Sequence, residues 1–267
     1  VFVATTLASF VACMLMGVLA NWPVALAPGM GLNAFFTYAV VFGMGFTWQQ
    51  ALAAVLCSGI LFLLISISPL RAYLINAIPR SLKFGIGAGI GLFLAIIGLK
   101  NAGIVVDNPA TLVGLGDLKS ATVLLALLTF TLMIALDKLK IPGAIVISIL
   151  ATTIIGFIFG VAQFQGVASS IPSMSPTFMQ LDFSSLGSSL FLIVIFTILF
   201  VDFFDTAGTL TSVANLSGKI DKNGNVENIQ KAVFSDSIAT IVGSIFGTSN
   251  TTSYIESGAG IKEGGKT

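Results

Sequence analysis

The stretch Leu186–Leu216, LGSSLFLIVIFTILFVDFFDTAGTLTSVANL, is long and apolar enough to cross a lipid bilayer, yet it carries two aspartates, Asp202 and Asp205, at bilayer depth. An ionisable side chain at the bilayer centre costs roughly 2.5 to 3.5 kcal/mol even on lenient insertion scales, so such groups face a cavity and mark an ion or substrate path. Asp202 and Asp205 stand three apart, which puts them on one face of a helix. An intramembrane aspartyl protease would need its two aspartates on different helices facing each other, so this pair argues against that chemistry.

Outward from this stretch the same character continues. The chain is 56% hydrophobic and 9% charged, with a mean hydropathy of +1.03, whereas soluble domains carry about 25% charged residues. The first charged residue is Arg71. A signal peptide would be one short apolar stretch, but here the pattern recurs along the whole length. The net charge of +1 gives no reason to expect nucleic acid as a partner. Histidine is absent, which removes imidazole bases, Ser/His triads and the commonest metal ligand, so catalytic zinc is not expected, and the chain reads as a transporter without a cofactor, not as an enzyme. Cys13 and Cys57 lie within apolar runs and read as small buried hydrophobes without a disulfide.

A helical span needs about 20 mostly apolar residues. Candidates fall at Phe2 to Ala20, Leu52 to Leu70, Leu82 to Leu99, Ala121 to Leu136, Pro142 to Ala162, Leu186 to Leu216 and Ala232 to Phe246. Two further stretches are irregular. Trp22 to Trp48 is broken by Pro23, Pro28, Gly29 and Gly31, and Gly247 to Ile261 is first rich in Ser and Thr, then in glycine. Ten of the twelve basic residues, among them Arg71, Lys138, Lys219, Lys231 and Lys262, fall in connections that share one side of the membrane if both irregular stretches cross once. The positive-inside rule makes that side cytoplasmic, with the Lys219 to Lys231 loop inside. Trp22 and Trp48 then bracket the first broken span as interfacial anchors. Non-helical backbone at this depth needs protein or a water-filled cavity to satisfy its amides, so two broken spans imply an internal site.

Three segments carry a resemblance: ALAPGMGLNAFFTYAVV (Ala25 to Val41), LFVDFFDTAGTLTSVA (Leu199 to Ala214) and GTSNTTSYIESGAGIKEGGKT (Gly247 to Thr267). In this order they resemble the signature segments of the AzgA-like purine permeases, a branch of the nucleobase:cation symporter-2 and nucleobase-ascorbate transporter superfamily. The resemblance implies an all-α polytopic fold of two inverted sevens of transmembrane spans, in which the third and tenth spans combine a short strand with a half-helix. It implies that this chain is a fragment holding spans two to ten, with residues 1–70 and 166–267 in the core (transport) domain and 71–165 in the gate domain. The expected function is import of adenine, guanine or hypoxanthine across the plasma (inner) membrane by proton symport. Oligomeric state is left open, a homodimer included. The alternative is an inorganic anion transporter or channel of the same fold, which Asp202, Asp205 and Glu256 would disfavour by repulsion.

Carried over residue by residue, the resemblance places Asn33 at the third-span half-helix, Asp202 and Asp205 on the eighth span and Glu256 in the tenth. A purine offers ring N–H groups and exocyclic donors or acceptors; a carboxylate accepts two N–H bonds, and Asn33 supplies both a donor and an acceptor. The substrate-binding set is therefore Asn33, Asp205 and Glu256, with Phe35 to stack on the base and Thr252 and Ser253 beside it. Phe36, Phe203 and Phe204 are near enough in sequence to stack as well. Asp202 and Asp205 are the proton-coupling pair. Asp236, toward the end of its span, reads as structural.

Overall fold

The computed structural model describes residues 1–68, 80–164, 166, 170–220 and 226–266. Arg71 and the hydrophilic connection through Asp221–Asn225 lie outside the described residues. The chain divides into two compact units, one of Val1–Ala88 with Ile171–Thr267, the other of Gly89–Ser170.

In the larger unit, helix α1 (Phe2–Leu15) runs on through a π-helical stretch, Met16–Ala20. Its inner face is a line of small residues, Ala4, Ala8, Ala12 and Ala20, all fully buried at helical spacing, and such a stripe lets a neighbouring backbone come close. Asn21 ends the helix in the left-handed region, with φ of 57°. Strand β1 (Leu26–Pro28) then leads into α2 (Met30–Ala34), which continues as π-helical turns over Phe35–Gly43. Helix α3 (Trp48–Ile67) begins four residues before the span read from the apolar run. The cause is local. Thr47 accepts from the Gln50 amide at 3.2 Å while the Gln50 side chain accepts from the Thr47 amide at 3.0 Å, a reciprocal cap that starts the helix ahead of its apolar face.

The second half of this unit holds α7 (Ser189–Ser217), α8 (Ile229–Phe246), strand β4 (Thr251–Ser253) and the short helix α9 (Ser257–Lys262). At 29 residues α7 is about 43 Å long, more than a hydrocarbon core of about 30 Å, and Asp202 lies near its middle. Outward-facing Ile193, Phe196 and Phe200 are about half exposed, as expected of a lipid-facing surface. Before α7, the Asp182 amide donates to Gln49, and Gln50 donates to Ser184, which ties that loop to the start of α3. The backbone N–H of Ser184 and then its side chain hold the half-buried Asp182 carboxyl below the usual carboxylate range.

Both irregular stretches are a strand followed by a helical segment. Strands β1 and β4 pair antiparallel, Ala27 opposite Thr252. The outer edge of β1 is closed by a side chain: Leu26 donates its amide to Cys13 Sγ at 3.2 Å, and the thiol donates back to the Leu26 carbonyl at 3.4 Å. Cys13 is thus more than packing material, and both cysteines are free.

Helices α1 and α3 pack on α8, and α3 also packs on α7. A Cβ at Gly59 of α3 would come within 3.0 Å of Ile241 and 3.1 Å of Thr240 on α8. Gly59→Val should therefore destabilise the fold by roughly 1–3 kcal/mol through overpacking. Thermal unfolding of the detergent-solubilised full-length protein tests this, and an unchanged midpoint would mean that α3 and α8 do not approach this closely.

The smaller unit contains most of α4 (Arg80–Asn101), the hairpin β2–β3 (Val105–Asn108 and Leu112–Leu115), and the packed pair α5 (Ala121–Lys138) and α6 (Ala144–Ile158). The hairpin corrects the all-α expectation for this region. Its cause is readable in retrospect: valines and leucines flank the turn, where Asn108 Oδ1 accepts from the Ala110 amide at 2.9 Å. On α6 the buried line Ala144, Ser148, Thr152 and Gly156 faces inward, and its hydroxyls donate back to carbonyls of their own helix, so the stripe buries no unpaired donor.

Four described helical segments, Phe2–Ala20, Trp48–Ile67, Ala121–Lys138 and Ser189–Ser217, are long and apolar enough to cross a membrane. Trp22 departs from the interfacial role read for it. It is 1% exposed and donates its indole N–H to the Glu227 carbonyl at 2.9 Å, because the turn at Asn21 folds the ring back into the core beside Met16 and Val24. Trp48, 38% exposed, stays at the surface.

Candidate functional site

The site grows from the crossing of β1 and β4 against the middle of α7. Gly29, at the joint between β1 and α2, permits the crossing, since a Cβ there would lie 2.8 Å from the Thr252 methyl group. Its amide donates to the Asn250 carbonyl at 2.9 Å, and the Tyr254 hydroxyl donates to the Pro28 carbonyl at 2.6 Å. The two breaks are thus satisfied by each other, as backbone removed from water requires.

Asp202 is fully buried and accepts from Asn250 Nδ2 at 3.2 Å, while Thr240 divides its one proton between Asp202, at 3.2 Å, and the nearer Thr251 carbonyl, at 2.8 Å. Asp205, one turn on, is half-buried and accepts from Thr252 Oγ1 at the long distance of 3.5 Å. Asp236, on α8, is also fully buried and accepts a short hydrogen bond from Thr206. Thr206 has a single proton and gives it to Asp236, so toward Thr252, at 3.4 Å, it can only accept. The proton of Thr252 is then shared between Thr206 and Asp205, and neither bond is close.

Asp202 Oδ1, Asp236 Oδ1 and the Ser253 hydroxyl are buried with no hydrogen-bond partner among the described residues. The single ion pair among those residues, Lys100 with Asp107, involves none of the three aspartates. Three carboxylates are therefore gathered between α7 and α8 without a paired cation.

The remaining expected residues divide by accessibility. Asn33, exposed in the first turns after Gly29, accepts from the Ser249 hydroxyl, which joins the two broken spans a second time. Glu256 is exposed at the start of α9, makes no capping bond through its side chain, and lies close enough to Asp205 and Tyr254 for its charge to act on both. Thr252 and Ser253, 2% and 3% exposed, lie beneath this surface, with Thr252 engaged by Asp205 and Thr206. Phe35 and Phe36 are half-buried against the cluster around Phe191. Phe203, read as a stacking candidate, is 5% exposed and packs edge-on against Phe62 and Phe204, so it belongs to the core.

Sequence reasoning missed Asp236 as a member of the cluster, along with its partners Thr206, Thr240 and Asn250. The signal was there: Asp236 and Thr240 stand one helical turn apart in an apolar span and share a face.

A profile of the permease family matches residues 1–267. The chain belongs to the permease family. This permease is 44% identical to the guanine/hypoxanthine permease PbuG of Bacillus subtilis, over all of its own chain and 61% of that protein. It is 41% identical to the adenine permease AdeQ of Escherichia coli, over all of its own chain and 60% of that protein. It thus spans about three fifths of the length of these curated relatives. Among solved structures, the transmembrane domain of a cyanobacterium bicarbonate transporter, BicA, matches 99% of the permease chain with a TM-score of 0.65. That match covers 73% of the other chain at 16% identity, a likeness of fold alone. Membership and the long apolar helices make the permease a multi-pass integral membrane protein.

Proposed function

We propose that the full-length protein is a secondary active transporter that imports purine nucleobases by proton symport. The observation that carries the reading is the accessible set Asn33, Asp205 and Glu256 at the meeting of two strand/half-helix breaks, in a chain whose relatives are named adenine and guanine/hypoxanthine permeases. Asp205 and Glu256 accept the N–H groups of the base, Asn33 pairs with its mixed edge, and Phe35 bounds the ring. Thr252 holds Asp205 from below, and the Ser253 hydroxyl lies beside it with its proton uncommitted among the described residues. Asp202, Asp205 and Asp236 take up the coupling proton. The unpartnered oxygens of Asp202 and Asp236 support this, since a buried carboxylate oxygen without a donor is relieved by taking up a proton. An inorganic anion fits less well, because the site gathers negative charge with no paired cation. Uptake of radiolabelled adenine, guanine and hypoxanthine into proteoliposomes of the full-length protein, in competition with bicarbonate and sulfate, tests the reading. Transport of an anion and no purine would overturn it.

The fold we propose for the whole protein is two inverted sevens of spans. The unit of Val1–Ala88 and Ile171–Thr267 serves as the transport core and Gly89–Ser170 as part of the gate. Opposite crossing of the two broken spans supports the inversion, and so does the antiparallel pairing of β1 with β4. In this arrangement the Ser217–Lys231 connection is cytoplasmic and Gln163–Ser185 faces outward. With single cysteines at Asn223 and Ser170 in an otherwise unlabelled full-length protein, an impermeant thiol reagent on intact cells should modify the Ser170 position alone. Labelling at Asn223 alone would reverse the orientation.

A further inference from the structure

A second concavity lies away from the carboxylate cluster, where the end of α1, the end of α3 and the first turn of α8 meet. It encloses about 500 Å³. Its walls are apolar, with Val18, Ile67 and Phe234 among them, and Val18 and Ile67 are 73% and 58% exposed. Its polar edge is formed by Ser66, Gln230 and Lys231. We propose that this cavity binds one anionic phospholipid, with acyl chain along Val18, Ile67 and Phe234 and phosphate at Lys231.

Four observations converge on that chemistry. Lys231 is exposed and forms no ion pair with any described acidic group, and no described acidic residue lines the cavity, which favours an anion beside it. Asn228 precedes α8 without capping it through a side chain, the first-turn amides of Ile229 and Gln230 have no acceptor among the described residues, and a helix start favours negative charge. Ser66 lines the cavity fully buried, yet its hydroxyl has no hydrogen-bond partner among the described residues. A buried donor left unpaired is costly, and a phosphate or glycerol ester oxygen would satisfy it. The exposed apolar walls, finally, belong to a chain that lies in a bilayer, where the abundant molecule with an anionic head and a long apolar tail is a phospholipid.

The cavity therefore combines a cation, free amides and a hydroxyl at one edge with a hydrocarbon surface beside them. A free phosphate would use only the first group, and a zwitterionic lipid would bring its own cation against Lys231. The site is separate from the purine reading, and its test involves no transport measurement.

Native mass spectrometry of the detergent-purified full-length protein, titrated with phosphatidylglycerol or phosphatidylcholine, reads the occupancy. One tight phosphatidylglycerol per protein is expected, bound about tenfold more tightly than phosphatidylcholine. Lys231→Gln should remove that preference by weakening phosphatidylglycerol about tenfold. Val18→Trp, which fills the apolar floor from an exposed position, should weaken both lipids. Glycerol phosphate, the head group without its tails, should not displace the lipid. The proposal is overturned if both variants bind phosphatidylglycerol as the wild type does, if the two lipids bind alike, or if glycerol phosphate competes at the lipid's own affinity.

Discussion

Glu256→Gln is expected to weaken purine binding by about tenfold to hundredfold, the loss of one charge-assisted hydrogen bond worth roughly 1.5 to 3 kcal/mol. Glu256 is exposed at the start of α9, and its carboxylate is spent on neither a cap nor an ion pair among the described residues. The substitution keeps the shape and replaces one acceptor oxygen with a donor, so a purine N–H that met an oxygen now meets an N–H. The exposed position also makes loss of the fold a poor explanation for any loss of binding. Isothermal titration of the full-length protein with adenine, guanine and hypoxanthine gives the number. Wild-type affinity in the folded variant would remove Glu256 from the site and leave Asp205 and Asn33 to hold the base.

The contrast between Asp202 and Asp236 shows which buried carboxylates a sequence reveals. Asp202 and Asp205 stood out because a carboxylate in the middle of an apolar run is costly wherever the rest of the chain goes. The broken spans were legible for a similar reason: proline and glycine at the first, and clustered hydroxyls at the second, cannot continue a helix, so their backbone must be satisfied elsewhere. What satisfies it was not legible. Ala27 faces Thr252 across more than two hundred residues, and Cys13 closes the edge of β1 through a thiol that sequence reads as filler.

Asp236 escaped for the opposite reason. Placed toward the end of its span, it read as structural, and only the packing of α8 against α1 and α3 shows it fully buried with Thr206 as its donor. Trp22 failed through a similar ambiguity. An indole suits a membrane interface and a buried pocket with a carbonyl acceptor equally well, and the Glu227 carbonyl decides between them.

Asp205→Asn should abolish concentrative purine uptake while leaving purine exchange down its gradient, the largest functional effect expected of any single change in this protein. The argument starts from the hydroxyl chain. Thr206 commits its proton to Asp236, and Thr252 divides its own between Thr206 and Asp205 over long distances, so Asp205 is the least firmly held of the three carboxylates and the one open toward the accessible surface. It is therefore placed to exchange a proton with the aqueous side. Asparagine keeps the carbonyl that accepts from Thr252 and loses the ability to gain or release a proton.

A carrier without that exchange still binds and reorients, but the proton gradient no longer drives it. Asp202→Asn should show a milder form. Its side-chain carbonyl can still accept from Asn250 and from the shared proton of Thr240, so the hydrogen bonds survive with one fewer proton site. On the proposed proton symport, wild-type uptake should fall as the outside pH rises, and Asp205→Asn should flatten that dependence. A pH-sensitive dye in proteoliposomes follows proton entry while labelled purine is counted on the same vesicles. If both variants keep wild-type proton movement and accumulation, the aspartates between α7 and α8 serve the fold, and Glu256 becomes the carboxylate through which the proton must pass.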